Sequence, residues 1–239
     1  MANNRKIILF LVEGISDEES LSAILSEIIR DDVVSFQITR GDLTSKKGAN
    51  QTNIINSINQ KVIEYMNKEK VRRTDILHII HLIDIDGAYI KDEQYMSEDP
   101  DMGSGFFYAE DKIYSCNKQR IKDRNTQKST LMNKLCSLNE ISGTKYRAYY
   151  FCCNLDHVFH DERNLDEALK VEYAENFQDR FYGREKEFLE YISKSEFSVN
   201  GTYNETWSFL KDGLNSLGRH CNFHLFFEEF KKYINEKFI

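Results

Sequence analysis

Continuous apolar runs alternate with amphipathic stretches over the first third of the chain. Residues 7–12 (Ile-Ile-Leu-Phe-Leu-Val) are apolar at every position, which suits a strand covered on both faces, and the run stops at Glu13, Gly14 and Asp17. Gly14 lets the chain turn, and Ser16 or Asp17 can cap the helix whose stripe is Leu21, Ile24, Leu25 and Ile28. Residues 33–38 predict a second strand. Ile54, Ile55, Ile58, Val62, Ile63 and Met66 predict a second helix, and residues 76–86 a third strand that ends in Asp84 and Asp86 before Gly87. Strand, helix, strand, helix, strand implies an α/β fold with a parallel sheet, right-handed crossovers and flanking helices.

The pattern weakens after residue 90. Residues 91–146 read as a polar insertion, residues 146–153 as a fourth strand, and the stretch from Asn154 through Asp156 as the start of a helix. Helices are predicted over 185–193, 207–217 and 225–238. The last carries an aromatic stripe of Phe226, Phe227, Phe230, Tyr233 and Ile234, read as a core-facing stripe. The expected organisation is an α/β domain over residues 1–160 with the insertion at about 91–146, and a helical C-terminal extension over 161–239 packed on it. A single proline leaves no Pro-rich linker to divide the chain.

Composition adds limits. An apolar fraction of 41% with 13% aromatic residues argues for a folded core. The first apolar run is too short to span a membrane and meets Glu13 at once, so no signal peptide or anchor is expected, no membrane partner, and a cytoplasmic location. Five cysteines without CxxC spacing read as reduced thiols. The net charge of −7 argues against broad adhesion to nucleic acid, leaving any grip to local patches. The most basic stretch holds Lys118, Arg120, Lys122, Arg124 and Lys128; it reads either as a phosphate-contact strip or as a solvated face.

The acids carry the candidate chemistry. Ligands of open parallel sheets bind outside the carboxyl ends of the strands, where Glu13, Asp84 and Asp86 stand. Residues two apart on a strand share a face, so Asp84 and Asp86 can reach one ion, and Mg²⁺ takes one or two protein carboxylates. Asp156, just past the fourth strand, joins the cleft if that strand neighbours the others. The plain alternative is helix capping for Glu13, Asp17 and Asp156.

Val-Glu-Gly-Ile-Ser-Asp at 12–17, followed by Asp84-Ile-Asp86-Gly87, resembles the TOPRIM domain of primases, topoisomerases and OLD-type nucleases. The Asp17 position resembles the OLD-like and stand-alone TOPRIM proteins of phage defence in particular. The resemblance covers roughly residues 6–90. It implies that Glu13 is a metal ligand or general acid/base, that Asp84 and Asp86 bind Mg²⁺ or Mn²⁺, and that Asp17 helps with a second ion. The implied activity is metal-dependent hydrolysis of DNA or RNA in phage defence. No GxxxxGK[ST] occurs, so an ATPase would be a separate protein partner. The alternative is a non-catalytic TOPRIM scaffold, regulatory or interacting, that binds metal, nucleotide or a partner protein.

Overall fold

Burial follows the apolar runs. The computed structural model describes residues 6–29, 33–194 and 196–238. Every residue of β1 (Ile7–Val12) is buried. It is followed by α1 (Ile15–Ile28), β2 (Val33–Ile38), α2 (Ile54–Glu69) and β3 (Ile76–Asp84), in the predicted order. The apolar stripe of α1 is its buried face, with Leu21, Ile24, Leu25 and Ile28 all inside.

The insertion is more structured than its polarity predicts. It contains β4 (Met96–Glu98), β5 (Phe107–Tyr108) and β6 (Ile113–Ser115), which pair in the order β4-β6-β5, and then α3 (Lys118–Leu135), a helix of 18 residues. Its small core gathers Ile90, Met96, Ile113 and Ile121 with Cys153 and Leu217 from later in the chain. Burial therefore ties the insertion to the main body.

Two strands complete the central sheet, β7 (Glu140–Ile141) and β8 (Thr144–Phe151). Its order is β2-β1-β3-β8-β7; the pairs β1–β2, β1–β3 and β3–β8 are parallel, and β7–β8 is antiparallel. The sheet is thus mixed, where an all-parallel one was predicted. The exception lies at one edge, where Ser142 and Gly143, both at positive φ (49° and 78°), close a two-residue hairpin of the kind that suits strand twist.

The remaining helices are α4 (Leu155–His160), α5 (Lys170–Phe181), α6 (Glu185–Ile192), α7 (Tyr203–Phe209) and α8 (His224–Glu229). Two predicted spans are corrected. The helix predicted at 207–217 starts earlier, because Thr202 and Glu205 form a capping box, and ends by Leu210. The one predicted at 225–238 stops at Glu229 and continues as 3-10 turns at Lys231–Tyr233 and Glu236–Phe238. The chain is drawn off the helix axis there: Asn235 N–H donates to the Ile28 carbonyl (2.8 Å), and Ile29 bridges Ile234. The aromatic stripe is largely core nonetheless. Phe226 is fully buried and lies edge-on to Phe10 at 5.4 Å. Among the described residues no helix is long and apolar enough to cross a membrane.

Candidate functional site at the carboxyl edge of the sheet

β1 sits between β2 and β3, so the chain leaves it in opposite directions, and a crevice opens at such a switch point. Glu13 follows β1 and Asp84 ends β3 on the two flanks of that crevice. Because β8 is the other neighbour of β3, Asp156 reaches the same edge. One cavity of about 580 Å³ is lined by Glu13, Asp17, Asp84, Asp86 and Asp156, with Arg40 and Lys170. The structure therefore brings all five sequence-named acids together.

The backbone at this edge is unusual. Two residues past β2, β3 and β8 stand Arg40 (φ 60°), Asp86 (φ 54°) and Cys153 (φ 49°), each non-glycine and left-handed. Left-handed residues cost about 1–3 kcal/mol each, persist only where surroundings fix them, and cluster at functional sites. Here the fixing is done by neighbouring strand ends. Thr39 N–H donates to Val12 O (2.8 Å), Gly41 N–H to Glu13 O (3.2 Å), and Asp86 N–H to Cys153 O (2.7 Å). Asp86 consequently lies beyond the strand and reaches the cavity through a turn. The two-residue strand spacing is not what aligns it with Asp84.

Each acid has a different set of contacts. Asp17 Oδ2 accepts from the N–H groups of Glu13 (3.1 Å) and Gly14 (2.9 Å), so it does cap α1. Asp84 Oδ1 accepts from Leu155 N–H at 3.0 Å. Asp156 Oδ2 is 3.9 Å from Lys170 Nζ, which also pairs with Glu167 at 3.0 Å. Among the described residues no hydrogen bond reaches the Glu13 carboxylate.

Two residues that sequence reading did not place in the site complete it. Asp42, on the loop after β2, and Asp86 both contact the ammonium of Lys128 at 2.5 Å, and Lys128 has no exposed surface. The signal lay in α3: Ile121, Asn125, Lys128, Met132 and Leu135 recur at helical spacing and are all buried, so Lys128 falls on the inward stripe. Tyr108 donates its hydroxyl proton to Asp86 (3.0 Å) and accepts from Arg124 (2.7 Å).

Electrostatics divide these groups. Burial, then the charges of Asp42 and Asp84, holds the Glu13 carboxyl well above its ordinary range. Burial, then Asp17 and Asp86, does the same to Asp84. Asp156 is pushed up to about 6, chiefly by burial, and Asp17 is raised by burial against its backbone donors. Burial would also raise Asp42, but the Lys128 charge and hydrogen bond outweigh it and hold that acid below its usual range. Lys128 is held well above the ordinary lysine value, because Asp42 and Asp86 outweigh its own burial.

The basic stretch is largely engaged within the chain. Arg120 contacts Cys116 Sγ (3.0 Å) and the Ser104 carbonyl (2.5 Å), Lys122 pairs with Glu93 (2.6 Å), and Arg124 lies over Phe106 at 4.2 Å. At Lys118 the backbone N–H donates to Glu98. Among the described residues no group of three or more His, Cys, Asp or Glu side chains is arranged to hold a metal ion. Comparison with known proteins finds no matching family model, no matching curated protein and no matching solved structure.

Proposed function

We propose that the chain is a TOPRIM-type, metal-dependent phosphodiesterase that hydrolyses nucleic acid at the carboxyl edge of its sheet. The observation that carries this reading is the pair of half-buried carboxyls, Glu13 and Asp84, at the ends of adjacent parallel strands. Both are held toward their protonated forms by desolvation and then by neighbouring carboxylates, against a smaller opposing pull from Lys128, and a bound cation would offset that penalty.

The donor chemistry fits Mg²⁺ or Mn²⁺. All the candidate ligands are hard carboxylate oxygens, and a magnesium site commonly uses only one or two of these, with water and substrate phosphate filling the rest. Glu13 and Asp84 would hold the ion, flanked by Asp86, Asp17 and Asp156. The ion would supply Lewis-acid polarisation of a phosphoryl oxygen and neutralise charge developing there. Of the chain's own groups, Glu13, whose carboxylate accepts no hydrogen bond among the described residues, is the acid free to ligate the ion or to pass a proton. Arg40 and Lys170, cations at the cavity wall, are suited to bind a phosphate diester and orient it toward the acids.

A second reading, a non-catalytic scaffold, is favoured by one feature: both oxygens of Asp86 already have donors, Tyr108 and Lys128. The experiment that separates them is cleavage of labelled single- and double-stranded DNA and RNA with Mg²⁺ or Mn²⁺, with and without chelator. Cleavage that is lost in a folded Asp84→Ala variant supports the hydrolase. An intact panel overturns it in favour of the scaffold.

A further inference from the structure

We propose that Lys128 is a built-in cation that occupies the Asp42–Asp86 half of the acidic cleft, so that the cleft admits one divalent ion, on the Glu13–Asp84 side, and not two. The position of that single ion rests on the hydrolase reading above; the role of Lys128 rests on geometry.

The four oxygens of the Asp42–Asp86 half are all occupied. Asp42 Oδ1 accepts from the Thr44 N–H (2.6 Å) and hydroxyl (2.5 Å), and Asp42 Oδ2 from Lys128. Asp86 Oδ1 accepts from Tyr108 and Oδ2 from Lys128. An ion entering this half would have to expel an ammonium that has no solvent exposure, or sit against it and be repelled in a medium where repulsion is poorly screened. The other half differs. Asp84 has one oxygen engaged, by Leu155 N–H, and the Glu13 carboxylate has no hydrogen bond among the described residues.

The ammonium is also held in place from both sides. Asn125, one turn before Lys128, donates to the carbonyls of Gly87 (3.2 Å) and Ile90 (2.7 Å), fixing α3 to the Asp86 turn. Gln127 donates to the carbonyls of Thr44 (2.9 Å) and Lys46 (3.1 Å), fixing α3 to the Asp42 loop. Lys128 thus projects from a helix clamped to both segments whose carboxylates it joins. Two-metal hydrolases place their ions about 3.5–4 Å apart between shared carboxylates. In this cleft the lysine supplies the second positive charge without exchanging with solvent ions, leaving Asp86 to border the divalent site.

The test is the stoichiometry of Mn²⁺ binding to the full chain, by calorimetry and by the electron paramagnetic resonance of free Mn²⁺. The wild type and Lys128→Arg are expected to bind one ion. Lys128→Met should bind two, and Lys128→Met with Asp42→Asn one again. In the wild-type background Asp84→Asn should abolish binding, whereas Asp86→Asn should weaken it at most about tenfold, the smaller end for an outer contact. Two ions in the wild type, or a folded Lys128→Met that binds no more ions than the wild type, overturns the proposal. If Lys128→Met does not fold, the wild-type count and the Asp86→Asn affinity decide it, and abolition of binding by Asp86→Asn overturns it. A wild type that binds none while Lys128→Met binds one upholds the lysine's role and removes the divalent ion from the hydrolase reading.

Discussion

Replacing Asp156 by asparagine removes a buried charge while keeping the shape of the side chain. Asp156 is 6% exposed, and burial, only partly offset by Lys170, pushes its pKa up from 3.8 to about 6. Below about pH 3.8 the folded and unfolded chains both carry the proton, and the acid is neutral in each. Between that value and about 6 the unfolded chain releases the proton while the folded chain keeps it, so stability falls as pH rises through this window. Above it the folded state bears the full penalty, which at about 1.36 kcal/mol per tenfold change in proton affinity is roughly 3 kcal/mol. Asparagine has no such penalty. Asp156→Asn should therefore be up to about 3 kcal/mol more stable than the wild type at pH 7 and nearly equal to it at pH 4. Urea denaturation at the two pH values, with unchanged slope, measures this. Histidines such as His81, whose pKa burial lowers to about 4, act with the opposite sign in an overlapping window, but they cancel in the variant-minus-wild-type difference. A variant that is less stable at pH 7, or equally more stable at both pH values, refutes the reasoning.

Further predictions follow from local geometry. A Cβ on Gly87, at φ +63°, would lie 2.8 Å from Ile113 Cδ1 and 3.3 Å from Leu217 Cδ1, so Gly87→Ala should cost about 1–3 kcal/mol in thermal or urea unfolding. Lys128→Met leaves Asp42 and Asp86 without their cation and should cost about 3 kcal/mol at pH 7, the lower end for a broken buried pair, since their side chains are 14% and 20% exposed; calorimetric unfolding measures this. If α3 also contacts nucleic acid, neutralising Lys118, Arg120, Lys122 or Arg124 should flatten the log-affinity against log-salt slope by about one unit per lost phosphate contact. Neutralising Lys231, Lys232 and Lys237 serves as the control, and an equal effect from both sets removes the α3 path.

β1 and β3 are legible because they are buried almost throughout and read as nearly unbroken apolar runs, whereas β2 is half-buried with Ser35 and Gln37 and β8 carries Lys145 and Arg147. Glu13 and Asp84 are legible for the same reason, since an acid that closes such a run has to emerge at the sheet edge; Asp156, in the first turn of α4, depends on the β3–β8 pairing, which the sequence does not specify. Asp86 was named for its spacing, but it arrives by a left-handed turn that no periodicity records. Asp42 lies in a polar loop without a repeating pattern, so nothing local marked it. Lys128 reads from composition as part of a basic stretch, either a phosphate-contact strip or a solvated face, although its place in the register of Ile121, Met132 and Leu135 puts it on the buried side of α3. The early stop of α8 follows from backbone hydrogen bonding between Asn235 and Ile28, a contact across most of the chain that the aromatic stripe cannot reveal.

The most direct measurement of a cation in the acidic cleft is Fe²⁺-directed backbone cleavage, in which iron substitutes for the divalent ion and hydroxyl radicals generated with peroxide and ascorbate cut the nearest peptide. The account predicts cuts next to residue 13, residues 84–86 and residues 154–156, suppressed by excess Mg²⁺ and absent from Asp84→Asn. Absence of cuts at these strand ends, or cuts elsewhere that Mg²⁺ does not suppress, would contradict it.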